Sequence, residues 1–352
     1  MADNDGTIRV GIAGIGFMGW IHWLAYQRVA GIEVVAVAEK DAKRLSGDWT
    51  SIKGNFGPPG EHVDLRGIAK YSDYTEMLND PNVDVVDICM PPADHMAAAV
   101  AAAEHGKHVF CEKPLALRVP DADAIVAACQ KNGRVLSVGH VLPFFPEYRW
   151  ALEQIWSGRY GRLLGGYFKR VISNPTWLPH FFNLDRVGGP LLDLHVHDAH
   201  FIRLLFGMPQ SVSSRGRLNG GTVEYAHTQF DFGNDLVVSS VMGVVHQQGR
   251  PFTHGFEIHL ESATLHFESA AFADSSESMP IKLIDREGNV LRPGNDSGDA
   301  IAGFVAEIEE VRNSISSGKA SRILAGDLAR DAIKICAAEA LSVINRRSEP
   351  VK

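Results

Sequence analysis

Residues 188–200 read GGPLLDLHVHDAH and place five acidic or histidine side chains within eight positions: Asp193, His195, His197, Asp198 and His200. If residues 191–206 are helical, Asp193, His197 and His200 share one face and the other two lie elsewhere. Such a face could hold zinc, which often takes three protein ligands at a catalytic site. It could equally form an acid/base pair, in which a carboxylate fixes the tautomer of a proton-accepting histidine. A polar helix face without chemistry is the third interpretation, and the spacing excludes none of them.

A glycine pattern near the N-terminus indicates a dinucleotide site. Gly14, Gly16 and Gly19 form G-x-G-x-x-G after an apolar run and before a segment compatible with helix. The glycines permit a tight turn, a close approach of the backbone to a pyrophosphate and close helix packing, while the helix N-terminus supplies amide groups to the phosphates. We therefore expect the loop, including Phe17 and Met18, to bind cofactor.

Glu39 ends the second predicted strand, twenty positions after Gly19. A carboxylate there accepts hydrogen bonds from both hydroxyls of an adenosine ribose and repels a 2'-phosphate. NAD is therefore the predicted cofactor. NADP stays a second candidate, because the adjacent Lys40 supplies a cation that could pair with the phosphate.

A second motif, C-E-K-P at residues 111–114, follows the fourth predicted strand, at the edge where open parallel sheets place ligand chemistry. Lys113 is either a cation held beside the cofactor or an ordinary exposed lysine.

The elements that must position these residues change character along the chain. Short apolar strands at residues 7–13, 33–38, 83–90, 108–111 and 135–138 alternate with helix-favouring stretches, which predicts a doubly wound α/β domain with a parallel sheet. After residue 143, alternating strands at 163–172, 210–218, 223–245, 256–267 and 281–285 predict an open, mostly antiparallel sheet. Helices are expected at 302–316, with Gly318 as its stop, and at 327–345. We predict domains at 1–142 and 143–352, with the terminal helices able to pack back on the first.

Composition limits the classes of partner. The 352 residues carry a formal net charge of -8, which argues against a general nucleic-acid binder. No apolar run approaches the length of a membrane span, and no targeting segment is recognised. The four cysteines show no C-x-x-C spacing, so the expected setting is the cytoplasm and the expected partners are small molecules.

Four segments together resemble the glucose-fructose oxidoreductase, inositol dehydrogenase and rhizopine catabolism (Gfo/Idh/MocA) family. They are VGIAGIGFMG at 10–19, MPPADHMAAAVAAAEHGKHVFCEKPLA at 90–116, GGPLLDLHVHD at 188–198 and the closing RRSEPVK. The resemblance implies an N-terminal Rossmann domain that binds NAD, followed by an α/β domain whose open, mostly antiparallel sheet faces the nicotinamide. It also implies a homo-oligomer, a dimer or tetramer.

The resemblance assigns roles to particular residues. Its catalytic lysine falls on Lys113, and its aspartate and histidine fall on Asp193 and His197, which favours the acid/base pair over a metal site or a polar face. On this view Asp193 orients His197, His197 accepts the hydroxyl proton and Lys113 stabilises the developing alkoxide. The cofactor-side positions are Pro91, Pro92, His95 and Glu112, and looser matches suggest substrate contacts at His140, Arg170, Trp177 and His195.

The resulting hypothesis is an NAD-dependent oxidoreductase of cytoplasmic carbohydrate metabolism. It would transfer hydride between a secondary alcohol of a sugar, polyol or inositol-like substrate and the nicotinamide. Two alternatives stay open: a glycosidase that oxidises a sugar transiently with bound NAD, and a non-catalytic NAD-binding protein.

Overall fold

The computed structural model describes residues 6–54, 56–176, 178, 180–294 and 298–352. The chain divides into two compact units, the first made of Met1–Phe144 and Gly298–Arg330, the second of Phe145–Ser297 and Asp331–Lys352. The chain therefore leaves the first unit after Phe144, returns to it for residues 298–330 and ends in the second.

The strands fall into two groups, one in each unit. Those of the first unit are β1 (Ile8–Ala13), β2 (Ile32–Ala38), β3 (Ala69–Tyr71), β4 (Val85–Ile88), β5 (His108–Glu112) and β6 (Leu136–Gly139). Those of the second are β7 (Leu163–Ser173), β8 (Ser211–Asn219), β9 (Thr222–Asp231), β10 (Val237–Val245), β11 (Phe252–Leu260), β12 (Ala263–Ala271), β13 (Ser276–Asp285), β14 (Val290–Leu291) and β15 (Glu349–Pro350).

The α-helices, in chain order, are α1 (Phe17–Tyr26), α2 (Ala42–Leu45), α3 (Tyr74–Met77), α4 (His95–Glu104), α5 (Val119–Lys131), α6 (Pro146–Trp156), α7 (Val196–Phe206), α8 (Ala302–Ser317) and α9 (Gly326–Asn345). The two closing helices confirm the prediction, and α8 ends where Gly318 adopts the left-handed conformation with φ of 65°. None of the helices in the described ranges combines the length and the apolar run that crossing a bilayer requires.

The first unit is built on a six-stranded parallel sheet in the order β3-β2-β1-β4-β5-β6. All five predicted strands are present, and β4 and β6 are buried along their whole length. The strand order reverses between β1 and β4, whose carboxyl ends form the edge where doubly wound sheets bind nucleotides. The fold class predicted for this part of the chain is confirmed.

The second unit contains a nine-stranded sheet in the order β14-β13-β12-β11-β7-β10-β9-β8-β15. Its described strands pair antiparallel except for β7 and β10, which run parallel with Gly165 opposite Val237. The predicted open, mostly antiparallel sheet is confirmed.

Two strands predicted as continuous are each a pair of strands, and both predictions were wrong for the same reason. Residues 223–245 form β9 and β10, separated by a turn in which Gly233 has φ of 70° and donates its N–H to the Asp231 carboxylate at 2.8 Å. Residues 256–267 fall in β11 and β12, joined by Glu261 and Ser262. Strand-favouring residues on both sides hide these short turns in the sequence.

Candidate active site

The glycine loop joins β1 to α1. Gly14 has φ of 95°, and Gly16 directly precedes the first turn of the helix. A Cβ atom at position 19 would lie 2.3 Å from the Gly14 carbonyl oxygen, so only glycine fits there. Gly14, Gly16, Phe17 and Met18 are partly exposed, whereas Gly19 is buried beneath them. The open loop and the helix N-terminus fit a dinucleotide pyrophosphate.

Glu39 holds the edge of this loop. Its Oε2 accepts the N–H of Ile15 at 2.8 Å, and its Oε1 accepts the N–H of Asp41 at 2.9 Å. Arg44 donates from Nη1 to the Ile15 carbonyl oxygen at 3.2 Å. The carboxylate therefore lies where a ribose would meet the loop, and its negative charge opposes a 2'-phosphate, with Arg44 as the nearby cation.

His95 ties together two loops at the carboxyl edge of the sheet. Pro91 and Pro92 follow β4, and a 3-10 turn at Pro92–Asp94 leads into α4. The buried His95 ring lies 2.8 Å from the Met90 carbonyl oxygen through Nε2 and 2.9 Å from the Pro114 carbonyl oxygen through Nδ1. Burial lowers its pKa. Both ring nitrogens of His95 therefore contact backbone carbonyl oxygens, and these contacts fix the loop that carries Lys113.

Glu112 is the last residue of β5, and Lys113 follows it. The Glu112 side chain is almost completely buried, and its Oε2 accepts the backbone N–H of Lys113 at 3.1 Å. Lys113 is half-buried, and its peptide bond to Pro114 is cis. The acid therefore holds the backbone of the lysine, while the lysine side chain is the more accessible of the two.

The D-x-x-x-H segment begins as a π-helical turn. Gly188 and Gly189 have φ of 78° and 68°, the π turn covers Leu191–His195, and α7 continues from Val196. Such turns are rare and frequent at functional sites. Asp193 and His197 are half-buried, whereas His195, Asp198 and His200 are buried. The face predicted to be shared by Asp193, His197 and His200 thus separates into two accessible groups and one internal histidine.

His195 is an internal ion-pair residue. Its Nε2 lies 3.1 Å from Oε1 of the buried Glu339 on α9, and its Nδ1 lies 3.8 Å from Asp198 Oδ2. Burial alone would lower the pKa of His195, but Glu339 and Asp198 outweigh it and raise the pKa to about 9. The substrate contact suggested for His195 does not fit this position, because the ring is fully enclosed and faces α9.

Arg170 is also an internal residue rather than a surface contact. It is 4% exposed and donates to Asp198 from Nε at 2.6 Å and from Nη2 at 3.0 Å. Burial alone would raise the pKa of Asp198, but Arg170 and His195 lower it to about 2. This bidentate pair anchors α7 to β7.

Substrate contacts were also suggested for His140 and Trp177, and the structure describes only the first of these residues. His140 follows β6 and is fully buried, with its backbone N–H donated to the Val138 carbonyl oxygen at 2.7 Å. Trp177 lies outside the described residues.

A buried polar cluster beneath the cofactor edge was missed from the sequence. Its members are His22 on α1, Asp87 and Cys89 at β4, Glu112 on β5 and Glu307 on α8. His22, Asp87 and Cys89 offer ligand atoms within 4.8 Å of one another, a spacing that could hold a metal ion. The available signal was a histidine among apolar residues of a helix, three positions after Gly19.

Comparisons with known proteins cover most of the chain. Residues 8–140 match the family model GFO_IDH_MocA, described as an oxidoreductase family with an NAD-binding Rossmann fold, and residues 148–266 match the GFO/IDH/MocA C-terminal domain.

Curated relatives with similar sequences include two inositol dehydrogenases. The chain is 28% identical over 292 residues to scyllo-inositol 2-dehydrogenase (NAD(+)) of Bacillus subtilis, covering 80% of this chain and 78% of that one. It is 25% identical over 291 residues to myo-inositol 2-dehydrogenase of Thermotoga maritima, covering 80% of each. A further match, 28% identical, is to the uncharacterized oxidoreductase YrbE of Bacillus subtilis, and the chain spans about half of that relative, 54% of its length.

Solved structures share the fold. Levoglucosan dehydrogenase in complex with NADH superposes with a TM-score of 0.80 at 23% identity, covering 98% of this chain and 99% of that one. An oxidoreductase from Agrobacterium radiobacter in complex with NAD+, L-tartaric acid and magnesium gives a TM-score of 0.75 at 19% identity, covering 98% of both chains. With its glycine loop, its E-K-P lysine and both domain models in order, the chain belongs to the Gfo/Idh/MocA family of NAD-binding oxidoreductases.

Proposed function

We propose that this protein is a dehydrogenase that transfers hydride between a secondary alcohol of a sugar, polyol or inositol-like substrate and the nicotinamide of NAD. The observation that carries the proposal is the accessibility of Asp193 and His197 on a segment whose other polar side chains are buried. Relatives named as inositol dehydrogenases support the substrate class, because inositols present vicinal secondary hydroxyls.

His197 acts as the general base in this proposal. Oxidation of an alcohol needs an acceptor for the hydroxyl proton, and the ring nitrogen of a neutral imidazole is such an acceptor. Asp193, four positions earlier, orients the ring and stabilises the imidazolium that forms. The ion pair of His195 with Glu339 fixes the π turn from its buried side, so that the two accessible groups keep their direction.

Lys113 supplies the positive charge that stabilises the developing alkoxide. Its backbone is held by the Glu112 carboxylate at 3.1 Å, and the loop around it is held by His95. Bound NAD provides the hydride acceptor. Glu39 and the glycine loop hold the adenosine ribose and the pyrophosphate.

The test measures nicotinamide absorbance with a panel of inositols, aldoses, keto-sugars and glycosides. We expect Lys113→Ala and His197→Ala to lose about 100- to 10,000-fold in turnover, the usual contribution of a positioned acid/base or charged group. Both variants should keep their affinity for NADH. The exposed residues Lys131 and His227 provide matched controls, and Lys131→Ala and His227→Ala should retain full activity.

The same experiment separates the alternatives. Full activity in either site variant would refute the assigned role of that residue. Release of an aglycone from a glycoside without net reduction of NAD would instead indicate the transient-oxidation glycosidase. Tight NADH binding without turnover of any substrate would favour the non-catalytic binding protein. The homo-oligomer and the cytoplasmic location stay predictions.

A further inference from the structure

The buried cluster beneath the cofactor edge connects three elements of the first unit. His22 on α1 is fully buried, and its Nδ1 lies 2.8 Å from Asp87 Oδ2 on β4. On the other side of the ring, Nε2 lies 3.2 Å from Glu112 Oε1 on β5. Glu112 Oε2 accepts the N–H of Lys113 at 3.1 Å. A continuous line of contacts therefore runs from Asp87 through the imidazole and Glu112 to the backbone of Lys113.

Carboxylates lie on both sides of the His22 ring. Nδ1 is hydrogen-bonded to Asp87 Oδ2, whereas Nε2 lies beside Glu112 Oε1 without hydrogen-bond geometry, so the contact with Glu112 is one between charges and favours the imidazolium. Tyr26 Oη also donates to Asp87 Oδ2 at 3.1 Å, so this oxygen accepts two hydrogen bonds. Burial alone would lower the pKa of His22, but the charge and the hydrogen bond of Asp87 outweigh it and raise the pKa well above its ordinary value.

Among the described residues, the other side chains that face the His22 ring carry no positive charge, so the ring is the site in this cluster where a positive charge can lie. Cys89 Sγ lies 3.4 Å from His22 Nδ1, and burial raises the pKa of this thiol, so it is neutral. Glu307 on α8 is fully buried, neither of its oxygens has a hydrogen-bond partner in the described part of the chain, and burial with Glu112 raises its pKa well above the ordinary value. Phe110 stacks on the ring with centroids 5.1 Å apart, and Phe304 lies 6.2 Å away.

The geometry fixes Glu112 closely. A Cβ atom at position 139 would lie 2.6 Å from Glu112 Oε1, so Gly139 at the end of β6 provides the space that the carboxylate occupies. With His22 on one oxygen and the Lys113 amide on the other, the carboxylate cannot rotate without losing a contact. Supporting contacts of this kind orient functional side chains in many enzymes.

We propose that His22 is a positioning residue for Lys113, acting through Glu112. The imidazolium anchors the carboxylate, and the carboxylate sets the backbone from which the lysine side chain extends toward the reacting oxygen. This inference rests on the proposed function, because it gives His22 a role only if Lys113 takes part in the reaction.

The first test is a double-mutant cycle with His22→Asn and Lys113→Ala. The asparagine side chain keeps an amide that can hydrogen-bond Asp87 but removes the charge and the contact with Glu112. We expect His22→Asn to lower kcat at least tenfold while the Kd for NADH changes less than threefold. Because the effect passes through Lys113, the double variant should match Lys113→Ala within about twofold. Losses that multiply would overturn the inference.

A second pair of variants covers the case in which His22→Asn fails to fold. Glu112→Gln is isosteric and removes the charge that holds the imidazolium, so kcat should fall several-fold. Glu307→Gln makes the same chemical change in the same cluster at a carboxyl that is already neutral, so it should leave kcat unchanged. Equal kcat values in Glu112→Gln and the wild type would contradict the proposal that His22 positions Lys113 through Glu112.

A split between kcat and the binding constants provides a readout that a purely structural role would not produce. Asp87→Asn loosens the ring that holds Glu112 but leaves the glycine loop and Glu39 unchanged, so kcat should fall several-fold while the KM for the alcohol and the Kd for NADH change less than threefold. An unchanged kcat, or losses shared equally by kcat and both binding constants, would overturn the inference. So would stoichiometric metal in the purified protein, since a metal bound by His22, Asp87 and Cys89 would replace the proton on Nδ1.

These results are distinguishable from a failure of the proposed function. Full activity in Lys113→Ala would show that Lys113 takes no part in the reaction, and the positioning role of His22 would then have no basis. Loss of activity in Lys113→Ala together with full activity in folded His22→Asn would overturn the positioning role of His22 and leave the proposed function intact.

Discussion

Because of the ion pair between His195 and Glu339, we expect the stability of the second unit to depend on pH in a defined direction. Both side chains are fully buried, with Nε2 and Oε1 3.1 Å apart. Replacing Glu339 by the isosteric Gln removes the charge that most strongly holds the proton on the ring. Burial then favours the neutral ring, because a charged group is disfavoured in a medium of low dielectric.

The magnitude follows from the pKa. His195 titrates at about 9 in the folded protein against an ordinary value of 6.5, a difference equivalent to about 3 kcal/mol of stability. Because the folded pKa is raised, this contribution is fully present below pH 6.5 and is lost as the pH rises through 9. At pH 7.5 it amounts to about 2 kcal/mol. Since Asp198 stays beside the ring, these figures are the upper limits of the effect of Glu339→Gln.

The assay is urea-induced unfolding at a series of pH values. We expect Glu339→Gln to lower the free energy of unfolding by about 2 to 3 kcal/mol at pH 6, and the difference from the wild type to shrink toward zero by pH 10. Glu309→Gln, the same change at an exposed position of α8, is the control and should show no pH-dependent difference. A deficit in Glu339→Gln that is constant between pH 6 and 10 would refute the assignment of His195 as a cation.

Two further predictions concern the cofactor loop. Gly19→Ala would place a methyl group 2.3 Å from the Gly14 carbonyl oxygen, so the loop must open. The Kd for NADH, measured by fluorescence titration, should therefore rise at least tenfold. An unchanged Kd would contradict this packing of the loop. Glu39→Gln keeps an acceptor for the Ile15 N–H but removes the charge facing the ribose, so the ratio of NADP to NAD affinity should rise at least fivefold. If that ratio does not change, the carboxylate does not select the cofactor.

The sequence was most informative where local chemistry dictates structure. The glycine pattern predicted the β1–α1 loop, since Gly14 and Gly19 meet steric requirements that other residues cannot. Apolar runs predicted the parallel sheet, although β3, with three residues at the sheet edge, was too short to give a periodic signal. The parallel pairing of β7 with β10 was not predictable, because both strands carry the same alternation as their antiparallel neighbours.

The burial of individual site residues required the structure. His195 and Arg170 have the residue types of a binding pocket, yet both are internal because their partners, Glu339 and Asp198, lie 144 and 28 positions away in the chain. The π turn that carries Asp193 has no sequence pattern of its own. Resemblance proposed the site residues, whereas long-range pairing decides which of them face solvent.

The discontinuous first unit has a consequence for protein synthesis. Helix α8, which brings Phe304 against Phe56 and Glu307 into the cluster around His22, is translated only after some 150 further residues have left the ribosome. At about 5–20 residues per second this delay is on the order of 10 s. During that interval the nascent parallel sheet lacks one of its covering helices and exposes apolar surface to chaperones. For the same reason, a fragment that ends at Phe144 lacks part of the interior of the cofactor-binding unit.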